Sequence, residues 1–463
     1  MSRQSILLMT LIFILIGMFT FAFDIKLVRA EPKTWIVDDD GPADFHTIQE
    51  AINNANAEDT VFVRNGTYYE NVIVNKTLSL FGESKGTTII DGSGMGTVTK
   101  VAADNVTIMG LTIRNSGTEW TDSGIALSRV KNCNVSGNNI TANNGHGIYL
   151  YTSSNNSISG NNITANNWGG IWVSTSSNNN SITGNNITAN RGNAIWLDSS
   201  NYNCVTGNNI ANNKDGLVFC GPSNNRIVGN NIANNGDGIR LFFSSNNTIF
   251  HNNFVENQQQ FYTFKSYGNL WDTDYPSGGN YWSNYAGVDT DNDGIGDEPH
   301  TIDTNNTDRY PLMAPISIFD AGAWNGTVYN INLVSNSSVS NVQLEVTQKM
   351  LSFNVTGSEF STGFCRVTIP NVIIQDLWQG DYTVLVNGEE SLMIHNWTDV
   401  DNTYIYFTYQ HSEHEVVIIS EFSSLIVLPL LMIATLLAVI VYRRKHTLDN
   451  SAVHLSEISH PCM

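Results

Sequence analysis

One phrase returns through the middle of the chain and limits what the chain can become. Val135–Leu150 reads VSGNNITANNGHGIYL, and Ile158–Val173 reads ISGNNITANNWGGIWV. Further copies start at Ile182, Val205 and Ile227, with a worn one at Ile249, so the steps are 23, 24, 23, 22 and 22 residues. A period of this size marks an array in which each unit buries its apolar surface against the next. Within each copy, apolar and polar residues alternate over short runs, as in strands. The spacing of an amphipathic helix is absent, and so is the Leu-rich pattern of leucine-rich repeats. About 23 residues with two or three short strands make one coil of a parallel β-helix, with coils stacked about 4.8 Å apart.

Stacking turns equivalent positions into columns. Val135, Ile158, Ile182, Val205 and Ile227 form one inward column, and Ile148, Ile171, Ile195, Leu217 and Ile239 a second. Asn138, Asn161, Asn185, Asn208 and Asn230 fall at a turn, where an Asn ladder satisfies backbone groups from coil to coil. In NNIT the Ile points in, so Asn162 and Thr164 point out. With earlier coils at Val106–Ile113 and Gly124–Leu127, nine or ten coils are expected.

The chain has 463 residues, a formal charge of −20 and five scattered cysteines. That acidity excludes nucleic acid as a partner. Cys133 and Cys204 lie three coils apart, roughly 14 Å, too far for a disulfide. Residues 1–30 have the form of an export signal: Arg3, an apolar run Ile6–Phe23, then Val28-Arg29-Ala30. Asn-x-Ser/Thr sites at Asn65, Asn105, Asn162, Asn186, Asn325 and Asn396 fit an extracytoplasmic glycoprotein. Phe45, Ile48, Ala51, Ile52 and Ala55 share one face of a helix over about residues 45–56, suited to plugging the open end of the stack.

The segment DFHTIQEAINNANAEDTVFVRNGTYYENVIVNKTLSLFGE, followed by IIDG at Ile89–Gly92, resembles the start of pectin-lyase-like right-handed parallel β-helices. With the NNI and GIxL coils it is most similar to their NosD-like, carbohydrate-binding/sugar-hydrolase branch, common on archaeal and bacterial surfaces. The resemblance spans residues 34–313. It implies the fold, but not one function, because lyases, hydrolases, esterases and non-enzymes share that fold. The NosD resemblance also implies copper, which wants clustered His, Met or Cys. The ten His and ten Met are dispersed, so copper is not expected.

Two columns carry the candidate chemistry. Tyr149, Trp172 and Trp196, followed by Val218 and Arg240, alternate with inward neighbours and so stand on an outer face. Flat rings suit the apolar faces of sugars, and Arg240 suits a carboxylate. Stacking among the rings themselves, or cover beneath a loop, is the structural alternative. The other column is His146, Gly169, Asn193, Asp215 and Asp237. Carboxylates on adjacent coils approach within about 5–6 Å. Asp215 and Asp237 therefore suit a retaining glycosidase pair, a shared cation or two solvated turn residues. Lys214, Arg191 and Arg240 lie near them. Gly145-His146-Gly147 resembles the Gly-His-Gly of polygalacturonases, whose other motifs are missing, so His146 reads as filler in a variable slot.

Residues 266–313 break the repeat and close the stack. There DTDNDGIGD places Asp289, Asp291, Asp293 and Asp297 at positions 1, 3, 5 and 9 of a calcium-type loop, with Gly294 at 6. Position 12 is His300, not Glu, so the loop is not a full EF-hand. It is similar to thrombospondin-type and dockerin-like loops, and Asp303 is the candidate for the missing ligand. Residues 314–420 alternate as the strands of an immunoglobulin-like sandwich, a stalk. Residues 421–442 are long and apolar enough to span a membrane, and Arg443-Arg444-Lys445 put the tail, 443–463, in the cytoplasm.

The expectation is thus an all-β, type I single-pass surface protein: signal 1–30, right-handed β-helix 31–265, closing segment 266–313, sandwich 314–420, transmembrane helix 421–442. A non-catalytic carbohydrate-binding or envelope structural role leads, with cell-surface or environmental polysaccharide as partner and Ca²⁺ as structural ion. A polysaccharide lyase or glycoside hydrolase acting on uronate-containing glycans is the alternative, and copper processing the second.

Overall fold

The computed structural model describes residues 31–391 and 394–420. The expected signal, transmembrane segment and tail lie outside the described residues. Among the described residues, no helix is long and apolar enough to cross a membrane.

Each coil carries three strands, as at Ser157–Ser159, Asn162–Thr164 and Gly169–Ser174. Joined coil to coil, they build three parallel sheets of ten, nine and ten strands, matching the expected number of coils. The first sheet starts at Thr34–Val37, the nine-stranded one at Val72–Val74 and the third at Gly66–Tyr68. Register is one-to-one along the expected columns: Val135 faces Ile158, then Ile182, Val205, Ile227 and Ile249. These side chains and those of the Ile148 column are buried in one continuous core. Each contributes about 1.5–3 kcal/mol by leaving water.

The corners follow one local rule: a residue in the left-handed region, then a small polar residue turned inward. Gly137, Gly160, Gly184, Gly207 and Gly229 have φ between 62° and 67°, which explains the Gly of each Gly-Asn-Asn. At the next corner Ala142, Ala165 and Ala189 take φ of 52–56°, a conformation that costs an L-residue about 1–2 kcal/mol. What offsets this cost is the residue that follows. Asn138, Asn161, Asn185, Asn208, Asn230, Asn252 and Asn280 form a ladder in which each backbone N–H and Nδ2 donates to the next Oδ1 at 2.9–3.1 Å. Nδ2 also donates to a strand carbonyl, as from Asn185 to Ile158 at 2.9 Å. Two further Asn ladders run from Asn143 to Asn257 and from Asn156 to Asn269. Outside, Asn162 and Asn186 bond to their column neighbours at 2.8–2.9 Å, as their outward placement requires.

Both ends are closed. The plug helix is shorter than expected, Ile48–Asn54, with Ile48, Ala51 and Ile52 buried. Phe45 instead bridges Val37, and Ala55 is the C-cap. The Glu70 carboxylate accepts the N–H groups of Ile48 and Gln49 at 2.8 and 2.9 Å, which stops the helix from starting earlier. At the other end the stack runs past residue 265, since Tyr281–Trp282 pairs with Asn253–Phe254. Each ladder needs a last acceptor there. Asp308 takes the N–H of Asn280 at 2.8 Å, Asn306 the amide of Asn269 at 3.3 Å, and Gln260 that of Asn257 at 2.8 Å. Asp308 also accepts from Trp282 Nε1 at 2.9 Å. It has no exposed surface, and burial pushes its carboxyl up to about 7 against the pull of these donors.

Beyond Met313 two five-stranded antiparallel sheets follow and share one core that includes Leu351, Phe353, Val367, Phe407 and Val416. The sandwich joins the stack directly. Ile316 exchanges backbone bonds with the Asn253 amide at 2.8 Å, and buried Arg366 donates to the Pro276 carbonyl. The cysteines Cys133, Cys204, Cys220 and Cys365 are all free.

Asn185→Ala strips acceptors from two buried donors of Asn161 and should cost roughly 3 kcal/mol in chemical unfolding, whereas Asn186→Ala on the outside should cost under about 1 kcal/mol. Equal costs would mean that the inner ladder is no more than decoration. The raised Asp308 carboxyl binds its proton more tightly folded than unfolded. Its contribution to stability is therefore full below pH 4 and declines as pH rises from about 4 to about 7. The decline should disappear in Asp308→Asn, read as the difference between the two melting-temperature profiles.

Candidate functional site

The nine-stranded sheet carries both columns of candidate residues. Its strands begin with the His146 position, turn two apolar residues inward and put the Tyr149 position outside. Register aligns Tyr149, Trp172 and Trp196 on successive coils, then Val218, Arg240 and Tyr262. Preceding Tyr149 in the same column are Ala126 and Lys100.

The rings do point outward, but they do not form an exposed row. Tyr149 and Trp172 stack with centroids 4.6 Å apart and 20° between planes, and Trp172 and Trp196 at 5.0 Å and 13°. Tyr149 is 6% and Trp172 9% exposed. The cause is the register itself: coil spacing is ring-stacking distance. Trp120, on the loop after Thr112–Arg114, leans on Trp172 at 5.9 Å and covers the stack from outside. Both faces of Trp172 are thus taken by neighbouring rings. The alternative weighed from the sequence, ring-on-ring stacking beneath a loop, describes Trp172; the next column positions, Ala126 beside Tyr149 and Val218 beside Trp196, carry no ring.

Hollows lie beside these two terminal rings. One, of about 670 Å³, has Ala126 and Tyr149 at its floor and Lys100, Trp120 and Met95 around it. The other, of about 200 Å³, is lined by His146, Trp168, Arg191, Asn193, Trp196 and Lys214. Among the described residues, neither Arg191 nor Lys214 has a carboxylate in ion-pair range. His146 is not the exposed filler its slot suggested. It is 4% exposed, packed against Trp168 and Trp172 at 5.9 and 5.1 Å, and its Nε2 has no hydrogen-bond partner. Burial lowers its pKa to about 4, so the imidazole is neutral at neutral pH. The signal missed in the sequence was Trp168, one coil on, which closes over it.

Asp215 and Asp237 do sit side by side, but they are neither solvated turn residues nor a free pair. Arg240 Nη1 lies 3.1 Å from Asp215 and its Nε 3.2 Å from Asp237. Asp215 also accepts the backbone N–H of Asp237 at 3.2 Å. Burial raises the Asp237 carboxyl, with Arg240 pulling it down and Asp215 pushing it up. Arg240 is therefore committed to these carboxylates, with Phe242 and Tyr262 rings beside it at 5.2 and 5.5 Å. It is not free to meet a substrate carboxylate.

The acidic loop is gathered in part. Asp289, Asp291 and Asp293 bring carboxylate oxygens within 4.8 Å of one another. Asp289 accepts the N–H groups of Asp293 and Gly294 at 3.0 and 2.9 Å, and Asp293 that of Ile295 at 2.7 Å. Gly294, at φ 83°, makes the turn. Burial raises both carboxyls, that of Asp293 to about 6. Asp297 stays outside the group and accepts from Thr290 at 2.9 Å, which lowers its pKa. Asp303 is elsewhere. It accepts from Thr263 and from Asn306 and so steadies the end of a ladder. Asp38, Asp39 and Asp40 form a second cluster that the sequence reading passed over. Both clusters are all-carboxylate, so neither offers copper the nitrogen or sulfur donors it prefers.

Two family models match the chain. "Right handed beta helix region" covers residues 43–204, and "Periplasmic copper-binding protein (NosD)" residues 162–287. The chain is a right-handed parallel β-helix, part of which is similar to the NosD model. No curated protein sequence matches it. Solved structures share the fold at low identity. The Dettilon tailspike protein is 11% identical over 78% of this chain and 88% of its own, with a TM-score of 0.29. A pectate lyase is 13% identical over 55% and 74%, at 0.34. The A-module of a mannuronan C-5 epimerase from Azotobacter vinelandii is 17% identical over 50% and 88%, at 0.30.

Proposed function

We propose that this β-helix protein is a non-catalytic glycan-binding module of the cell surface, which takes polysaccharide along its nine-stranded sheet. One observation carries the reading: two hollows, one lined by Tyr149 and the other by Trp196, open at the two ends of the aromatic stack on the nine-stranded sheet. A ring face bordered by polar side chains suits a sugar, whose ring is apolar on its faces and hydroxylated at its edge. The bridging of Asp215 and Asp237 by Arg240 argues against a glycosidase pair, whose two carboxyls must both be free to meet the substrate. The sandwich serves as a stalk, and the apolar segment 421–442 holds the protein to the membrane as a type I chain; both rest on the sequence.

A second reading, chemistry on an acidic glycan, is favoured by the other hollow. A buried neutral His146 near Arg191 and Lys214 has the composition of a site that draws a proton from carbon next to a carboxylate, with cations to steady the charge that develops.

The test uses the full chain in mild detergent, run through native gels cast with uronic-acid or neutral polysaccharides. Retardation without new reducing ends or unsaturated products is expected, and Trp196→Ala should weaken it about five- to tenfold. Unsaturated products that vanish in His146→Ala would replace the first reading with the second.

For Ca²⁺ the fit is good in donor chemistry, since Asp289, Asp291 and Asp293 are hard oxygen donors at alternate positions. A cation there would relieve the repulsion among them. Ca²⁺ should raise the melting temperature of the wild type by several degrees and leave that of Asp291→Asn unchanged; identical shifts in both would remove the ion from this loop.

A further inference from the structure

The outward column of the nine-stranded sheet has a gap one ring wide. Tyr149, Trp172 and Trp196 fill three successive positions, and the position before Tyr149 is Ala126. A ring there would lie about 4.8 Å from Tyr149. That matches the 4.6 Å at which Trp172 stacks on its other face. One coil further stands Lys100, which caps the gap and, among the described residues, has no carboxylate in ion-pair range. The gap opens into the 670 Å³ hollow. Its mouth is apolar and exposed: Met95 64%, Trp120 54%, Ile73 47%. Such a patch on a chain otherwise rich in Asn and Asp asks for an occupant. Polar side chains stand round the rim, from Thr97, Thr121 and Ser128, with the Asp122 carboxylate accepting the Glu119 N–H at 3.0 Å and the Asn71 amide donating to the Met95 and Thr97 carbonyls.

From this geometry we infer that the Ala126 gap is a subsite for a single pyranose ring of an acidic glycan, which enters as the missing member of the aromatic stack. This deepens the glycan-binding reading and rests on it. The ring face lies on Tyr149, and its hydroxyls meet the polar rim. Its carboxylate meets the Lys100 ammonium, an unpaired cation on a chain of charge −20. The polar rim and the Lys100 ammonium favour a hydroxylated, acidic ring over a purely aromatic ligand, which would use neither.

The test titrates the full chain in detergent with a tetra-uronate and with a neutral tetrasaccharide, following tryptophan fluorescence, since Trp120 lines the hollow. Ala126→Phe supplies the missing ring from the protein itself. Its melting temperature should hold or rise, and tetra-uronate affinity should fall at least about tenfold. Lys100→Gln, an exposed change that folding tolerates, should weaken the tetra-uronate about five- to tenfold and the neutral tetrasaccharide less than twofold. Ala126→Phe that still binds tetra-uronate like the wild type, with Lys100→Gln equally silent, would overturn the subsite while the polymer retardation of the wild type survives. Loss in Ala126→Phe with no selectivity in Lys100→Gln would overturn the acidic assignment. A wild type that neither binds the oligosaccharides nor is retarded by any polymer would bring down the module and the subsite together.

Discussion

Parallel strands stacked in register at about 4.8 Å place identical side chains directly on top of one another, and almost everything else here is a consequence. For a buried Asn this repetition is favourable, because its amide is both donor and acceptor and can pass a hydrogen bond along without limit. For an Ile it gives a seamless core. For an aromatic ring it gives stacking. For a carboxylate it gives repulsion, which is why Asp215 and Asp237 hold Arg240 between them. The fold therefore sorts residues by how well they tolerate their own company.

The same constraint makes the two ends special. Within the stack each Asn finds its acceptor in the next coil. At the last coil there is no next coil, and the closing segment substitutes Asp308, Asn306 and Gln260. Asp308 is suited to the task, since its carboxyl oxygens supply acceptors for the Asn280 N–H and the Trp282 indole N–H. At the first coil the open core meets Ile48, Ala51 and Ile52 of a short helix. The acidic loop and the sandwich build on the closed end, with Arg366 wedged against the Pro276 carbonyl.

Much of the fold was legible because a period repeats its message. Inward columns, the Asn138 ladder, the outward Asn162 and the number of coils all follow from aligning the copies. Less was legible where one residue depends on a segment far from it in sequence. Trp120 lies on a loop without a repeat partner, so nothing announced that it would cover Trp172. His146 looked like a tolerated substitution until Trp168 was seen to close on it. Asp303 sat at a plausible distance in sequence for a loop ligand, yet it serves Asn306. The Arg240 pairing was not legible either, because residues three apart on a strand point to opposite faces, and Asp237 reaches Arg240 only from the corner where its strand begins.

Because the caps at both ends recognise only the coil beside them, the number of coils between them is free to vary. Duplicating or deleting one 22- to 24-residue unit would leave either terminus intact and change the length of the outer face by one step of about 4.8 Å. The protein is in this sense a ruler with removable graduations. Coils can be added or lost along the outer face without redesigning the ends that keep the stack from growing into a fibre.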